Sequence, residues 1–370
     1  MLEKLDKKSA VLHIVKYFYD SAVHRTLVDA KYRQGGDAYT VFCADHNDVP
    51  AIERDQNVIT FKYFSVFRFF LICRTLLSLR FLTSHIDVSK YGLVFCHTWV
   101  VDGLLGYLLY KKLGIPYVIT IRNTDLNFYF KRFWGYRWMF KLILKNASAI
   151  GFASVSNRRQ FESLKIAKGL KKQLYIWPNI LDEFWYSLGK IDCSRNRALN
   201  SPVNVAFVGR YNANKNLYGV IHAVGRLRSF GLDVRLTCAG GSNQELLKYL
   251  ELGGMPYFDW IINKGVLDRI GLKTLYESSS CLCVPSFCET FGLVYIEALS
   301  QGCRVVCSID QGIDGFFDSG VFTVDPHNYR DIALGVMSSL ACRSDMPDLS
   351  LFRSNAVVDK IKGDTRPPIK

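Results

Sequence analysis

The sequence predicts an α/β protein of two doubly wound domains, and three observations predict it. The chain has 370 residues, more than a single hydrophobic core usually organises. Its second half alternates short, nearly continuous apolar runs with amphipathic stretches, the pattern of a parallel sheet covered by helices on both faces. Its first half repeats the scheme more loosely, and a polar, irregular segment at 182–201 separates the two.

Along the chain, apolar runs at 11–15, 38–43, 57–62, 92–96, 116–121, 148–153 and 173–177 predict the strands of the first domain, with helices between them. In the second domain strands are expected at 204–208, 233–239, 260–263, 281–284, 304–307 and 321–324. Helices are expected at 217–230, 244–251, 271–278, 293–301 and 329–340. The boundaries that follow are a first domain at 1–183, a hinge at 184–201, a second domain at 202–345 and a tail at 346–370 that packs back on the first domain. From 353 onward the tail is basic and ends in Pro367-Pro368, so its end is expected to fray.

Composition narrows the function classes. Hydrophobic residues make up 49% and charged residues 22%, which is a globular chain with ample core. The net charge of +14 is lopsided: residues 1–190 hold 28 Lys and Arg against 15 Asp and Glu, whereas residues 191–370 hold 19 against 18. A basic half predicts an anionic partner. Eleven cysteines form no regular framework, and Cys281, Cys283, Cys303 and Cys307 fall in apolar surroundings, so they read as small core residues in a reducing cytoplasm. The N-terminus lacks a secretory pattern. The longest apolar candidate for a membrane span, 91–110, contains His97 and Asp102, so a spanning helix is not expected. No helix-turn-helix, zinc-finger or ribonucleoprotein signature supports nucleic-acid binding. No Asp-x-Asp triplet is present to hold a divalent ion, so no metal is expected.

Two strand-to-helix loops of the second domain concentrate the chemistry. The run from Pro285 to Leu299 holds Glu289 in the loop after one strand and Glu297 two helical turns further on. At about 100° per residue, eight steps bring the two carboxylates within roughly 80° around the helix axis, so both are expected to face one cleft. Carboxylates accept hydrogen bonds from sugar hydroxyls, while Gly292 and the helix N-terminus offer N–H groups to a phosphate. The second loop follows the strand at 204–208, where Gly209 gives room and Arg210 and Lys215 bracket a helix start. That is a diphosphate clamp in outline.

On these residues the chain resembles the GT-B glycosyltransferases of the large retaining family 4. Pro285-Ser-x-x-Glu289-x-Phe291-Gly292-x4-Glu297-Ala matches that family's spaced-glutamate motif, and Gly209-Arg210 with Lys215 matches its donor-diphosphate loop. Pro178-Asn179 with Asp182 resembles the segment entering the linker, and Asp102-Gly103, Gly114-Ile-Pro116 and Thr124-Asp125 resemble the acceptor domain. The resemblance implies two Rossmann-like domains facing across a cleft, the first binding the acceptor and the second the nucleotide sugar. It implies that Arg210 and Lys215 hold the diphosphate, that Glu297 holds the ribose hydroxyls and that Glu289 contacts the donor sugar near the reacting centre. Gly209, Phe291, Gly292 and Leu293 would line the donor site. The match departs in the first domain. Tyr19-Asp20-Ser21-Ala22 lacks the glycine pair common there, and Arg122 stands where a histidine–glycine pair is usual. His97, Arg122 and Asp125 remain the acceptor-side candidates.

The expected activity is metal-independent transfer of a sugar, with retention of configuration, from a nucleotide diphosphate, UDP-sugar before GDP-sugar. The expected acceptor is a saccharide or lipid-linked saccharide of a bacterial surface polysaccharide: capsule, O-antigen or exopolysaccharide. A non-catalytic nucleotide-sugar-binding or partner subunit of the same fold is the alternative. Two stretches, 61–80 and 127–145, interleave aromatics with cations and contain no acidic residue. They predict a cytoplasmic enzyme peripheral to the inner face of an anionic membrane.

Overall fold

A computed structural model describes residues 10–16, 18–19, 21–33, 39–45, 57–64, 70–186, 202–342 and 344–365. The expected hinge lies outside the described residues from 187 to 201, as does the end of the tail from 366. The chain divides into two compact units. One comprises Met1–Ala153, Asn157–Ile180 and Phe352–Lys370, the other Ser154–Ser156 and Leu181–Leu351.

The first unit holds a seven-stranded sheet of β1 (Val11–Ile14), β2 (Tyr39–Asp45), β3 (Val58–Lys62), β4 (Leu93–Cys96), β5 (Tyr117–Ile121), β6 (Ala149–Phe152) and β7 (Leu174–Ile176). Their order is β3-β2-β1-β4-β5-β6-β7 and every pairing is parallel. Helix α1 (Ala22–Arg33) follows β1. Helices α2 (Leu71–His85), α3 (Val101–Leu113), α4 (Phe130–Arg132), α5 (Arg137–Asn146) and α6 (Val155–Ser163) connect the later strands. β1, β4, β5 and β6 are buried almost throughout, as strands covered on both faces must be. Alternation then divides their side chains. Leu12, Ile14, Val94, Cys96, Ile119 and Ile150 join the core under α2, α3 and α5, while Val11, Phe95, Val118 and Ala149 join the opposite core. At Gly151 the β6 backbone lies against the Trp177 indole, where any Cβ would collide with the ring.

The second unit holds β8 (Val203–Val208), β9 (Val234–Ala239), β10 (Ile261–Asn263), β11 (Cys281–Val284), β12 (Arg304–Ser308) and β13 (Val321–Val324). They are all parallel, in the order β10-β9-β8-β11-β12-β13. α7 (Leu217–Ser229), α8 (Asn243–Leu252), α9 (Arg269–Ser278), α10 (Leu293–Ser300) and α11 (Tyr329–Ala341) cover it. Local chemistry explains the starts. Ser242 and Glu245 make a reciprocal capping box on α8, and Asp268 caps α9 through the Gly271 N–H. Cys281, Cys283, Cys303 and Cys307 are all buried. The last helix, α12 (Ser354–Thr365), belongs to the first unit. Val357, Val358 and Ile361 pack with Ala30 of α1, and the Trp177 Nε1–H donates to Asp364 at 3.0 Å.

Each sheet reverses its strand order once, between β1 and β4 and between β8 and β11. Loops leaving the carboxyl ends of strands at such a reversal diverge and leave a crevice, the usual ligand position in open parallel sheets.

Candidate active site

In the second unit the crevice is framed by the loops after β8 and β11, and hydrogen bonds lace the two together. The Phe287 N–H donates to the Asn214 carbonyl at 2.9 Å, and the Asn214 amide donates to the Cys288 carbonyl at 3.0 Å. The first loop is shaped by two asparagines. Asn212 accepts from the Lys215 N–H and turns the chain through a short 3-10 segment, Ala213–Lys215. Asn216 adopts a left-handed φ of 57°, which asparagine tolerates better than most residues, and caps α7 by accepting from the Gly219 N–H. Its amide also donates to the Pro326 carbonyl at 2.7 Å. Gly240, at the end of β9, presses on the Gly209 peptide so closely that a Cβ would collide with it.

This geometry turns Lys215 onto the second loop. Its Nζ lies 2.6 Å from Glu289 Oε2, and the pair is only partly exposed, so its charges interact more strongly than a surface pair would. The Glu289 backbone is fixed on both sides. Its N–H donates to the Gln311 side chain at 2.9 Å, and its carbonyl accepts from the Gly312 N–H at 3.1 Å. Gly292 sits at φ 77° as the N-cap of α10, where a Cβ would strike the Tyr295 ring. Tyr295 is pinned in turn by donating to the Val284 carbonyl at 2.8 Å. No side chain caps α10, so its first N–H groups are presented beside the Lys215–Glu289 pair. Arg210 stands exposed in the first of the two loops.

The expected residues are not all alike. Lys215 and Glu289 are in contact; Gly292 and Leu293 start the helix beside them. Phe291 is buried against Phe316, with ring centroids 5.8 Å apart, so its side chain shapes the loop from behind instead of lining it. Glu297 does not share Glu289's neighbours. It accepts from the Tyr276 hydroxyl of α9 at 3.4 Å and lies near Arg269 and Asp182, themselves paired at 3.1 Å. Burial pushes its carboxyl up to about 7; the Tyr276 hydroxyl and Arg269 pull it down, and Asp182 pushes it up. Among the described residues no group of three or more His, Cys, Asp and Glu side chains is placed to hold a metal ion.

In the first unit, His97, Arg122 and Asp125 are brought together, but into a closed network. His97 is fully buried. Its Nε2 lies 2.9 Å from His13 Nδ1 and its Nδ1 lies 3.0 Å from His24 Nδ1, so the ring faces two other imidazoles and not an open site. Burial, then the charge of Arg122, holds His24 well below the ordinary histidine range, so it is neutral near pH 7. The Arg122 Nε–H donates to the His97 carbonyl at 3.1 Å. Asp125 accepts the backbone N–H groups of Trp99, Val100 and Arg122 at 3.0–3.1 Å, which ties β5 to the start of α3. Burial lifts its carboxyl to about 6 against those bonds.

The sequence did not single out Asp102 as a site residue. It lies in the first turn of α3, at the strand-order reversal of the first sheet, and burial lifts its carboxyl to about 7. Oδ1 accepts the Lys16 N–H at 3.3 Å; Oδ2 is buried with no partner among the described residues. It borders a small cavity shared with Lys16, Arg74, Thr75 and Ser78. No local pattern announces this, because the five residues come from three separate stretches of chain.

Comparison with known proteins agrees with the geometry. The family model "Glycosyltransferase Family 4" matches residues 30–183, and "Glycosyl transferases group 1" matches residues 194–350. An uncharacterised glycosyltransferase of Methanocaldococcus jannaschii is 26% identical over 275 residues, 68% of this chain and 66% of that protein, so the match spans about two thirds of the relative. Sucrose-phosphate synthase from Thermosynechococcus elongatus superposes with a TM-score of 0.65 at 17% identity, covering 97% of this chain and 95% of the other. An Escherichia coli trehalose-6-phosphate protein bound with UDP-2-fluoro glucose superposes at 0.64 and 12% identity, with 96% of each chain covered. Two family models divide nearly the whole chain between them, one on each Rossmann-like unit, and the chain belongs to the GT-B glycosyltransferases of family 4.

Proposed function

We propose that the protein moves a sugar, with retention of anomeric configuration, from a nucleotide diphosphate to a saccharide or lipid-linked saccharide acceptor. The observation that carries the reading is the Lys215–Glu289 pair at 2.6 Å beside the uncapped N-terminus of α10, at the strand-order reversal of the second sheet. A departing diphosphate gathers negative charge while the anomeric carbon turns positive. Lys215, Arg210 and the first N–H groups of α10 supply fixed positive charge for the leaving group, which leaves no role that requires a metal ion. Lys215 exchanges from Glu289 to the diphosphate when the donor enters. Glu289 is then freed to hold the donor sugar near the reacting carbon, and Glu297 takes the ribose hydroxyls. No covalent nucleophile is assigned. UDP-sugar is preferred to GDP-sugar; the uridine ligand of the superposed E. coli protein supports that choice.

The acceptor belongs to bacterial surface polysaccharide synthesis, and the enzyme works in the cytoplasm at the inner membrane face. Support for this comes from the basic first half and from aromatic-rich segments without carboxylates. No helix among the described residues is long and apolar enough to cross a membrane. A panel of nucleotide sugars scored by thermal shift tests the donor assignment. The expected result is stabilisation by a UDP-sugar that is lost in Arg210→Ala and Lys215→Ala; retention in both removes the diphosphate clamp. Slow donor hydrolysis by wild type but not by Glu289→Gln separates a transferase from a non-catalytic binding subunit.

A further inference from the structure

Helix α2 is apolar on two faces, one of them in the core through Leu71 and Leu82 with Leu79 and Phe81 against it. Its buried side carries Arg74, Thr75 and Ser78 between Leu71 and Leu82, while Ile72, Cys73, Leu76, Leu77 and Arg80 point to solvent. Positions 72, 73, 76, 77 and 80 recur at the helical period, so the exposed apolar residues form one stripe. A helix whose outer side meets only water usually carries polar residues there, yet Leu76 remains half exposed.

A second such surface lies on the same layer. α2, α3 and α5 pack side by side over one core on one face of the first sheet. α5 buries Met139, Phe140, Ile143 and Leu144, whereas Trp134 is 73% and Trp138 64% exposed. Tryptophan is rarely left so bare, and an indole with an apolar body and a polar N–H favours the boundary between water and lipid. Lys131, Arg132, Lys141 and Lys145 are exposed around the pair. Residues 56–86 and 126–161 contain no Asp or Glu, so neither surface repels an anion. With α3 between them, the axes of α2 and α5 stand roughly 20 Å apart, a broad face instead of a groove for a single helix.

We infer that the outer faces of α2 and of α5, with the short turn Trp134–Tyr136 that leads into α5, form one docking surface for an anionic lipid bilayer, with Leu76, Leu77, Trp134 and Trp138 entering the interface and the flanking lysines and arginines meeting lipid phosphates. α2 follows β3, and α5 follows β5 after the short turns at 125–136, so their first turns lie toward the carboxyl ends of the strands. Docking therefore brings the Lys16–Arg74–Asp102 cavity toward the headgroups. The docking deepens the proposed placement at the inner membrane face and rests on it, and that last step rests also on the proposed lipid-linked acceptor.

Flotation of the full-length protein with vesicles tests it. Binding is expected to phosphatidylcholine vesicles containing phosphatidylglycerol, to fall with added salt, and to be far weaker without the anionic lipid. Replacing Lys131, Arg132 and Lys141 by Gln is expected to cost roughly fivefold per cation. Trp134→Ala with Trp138→Ala, and separately Leu76→Ser with Leu77→Ser, should each weaken binding about tenfold or more. Arg137 is left intact because its guanidinium covers the Phe130 ring at 4.7 Å. Thermal unfolding and the UDP-sugar shift of each variant should match wild type, which separates a failed surface from a failed donor site. No binding to the anionic vesicles, or binding unchanged in all three variants, overturns the proposal. So does a lipid-free dimer that the Leu76/Leu77 variant abolishes.

Discussion

Glu297 and Glu289 lie eight residues apart and meet different environments, and their substitutions should part accordingly. The Glu297 carboxyl holds its proton up to about pH 7 when folded, against an ordinary value of 4.5. The folded state thus binds more protons between those values, and the stability this contributes is fully present below about 4.5 and lost as pH rises to 7. Glu297→Gln mimics the protonated acid. It should stabilise the ligand-free protein by about 1–3 kcal/mol above pH 7, the gain shrinking to nothing near pH 4.5. If ribose hydroxyls bind the ionised carboxylate, wild type should also take up a UDP-sugar more tightly as pH rises toward 7 and level off above it, while Glu297→Gln binds weakly at all pH values. Melting curves and calorimetric titration across that range give both answers; a pH-independent difference would place the carboxyl's titration elsewhere. Glu289→Gln leaves Lys215 uncommitted, so donor affinity should hold or improve while transfer falls about 10²–10³-fold. Lys215→Ala should do the reverse to binding, weakening the donor by about 10–100-fold. Equal losses of affinity in both would show that the pair acts as a single structural bridge.

At the level of elements, much of this molecule is readable without coordinates. β11 and β13 fall where the apolar runs at 281–284 and 321–324 place them, and α7 and α10 begin where expected; β11 is buried on both faces and so must be apolar, while β13 at the sheet edge is marked by its β-branched and aromatic residues. Loop chemistry was legible too, through the glycines and the spacing of Glu289 from the helix start. What escaped is tertiary. The Lys215–Glu289 contact joins residues 74 apart in sequence, the three-histidine chain joins β1, α1 and the end of β4, and the Asp102 oxygen with no partner among the described residues depends on what those neighbours fail to offer. The aromatic segments were legible as segments; which aromatics enter the core was not, since Phe140 is buried and Trp138 exposed two residues apart. The glycines that shape the site give a sharp test. Gly292→Ala needs a left-handed φ and collides with Tyr295, so it should cost about 1–3 kcal/mol and abolish the donor-induced thermal shift. Gly169→Ala, also left-handed but with nothing within 4 Å of its added Cβ, should cost about 1–2 kcal/mol and leave the shift intact. Loss of the shift in both would mean that global destabilisation, not loop shape, governs donor binding.

For the molecule as a whole, the decisive feature is that the chain leaves its first unit at Ile180 and finishes it only with α12, after the second unit has been completed. Val357, Val358 and Ile361 are nearly inaccessible, and burying each contributes about 1.5–3 kcal/mol. Their removal would also bare Ala30 and Trp177, and would leave the Trp177 N–H without Asp364. The sum is comparable with the whole stability of a domain of this size. A chain ending at Arg353 should therefore lose amide protection across β1–β7 while β8–β13 stay protected, and should still be stabilised by a UDP-sugar, because Arg210, Lys215, Glu289 and Glu297 all lie in the second unit. Transfer should vanish and flotation with anionic vesicles should fail, since α2 and α5 belong to the unit that melts. A synthetic peptide spanning 354–370, added in trans, should restore protection to β1 and β4 first, because Val11 and Phe95 lie in the core that α12 seals. Native protection throughout the truncated chain would show that α12 merely rests on a core that the earlier elements complete without it.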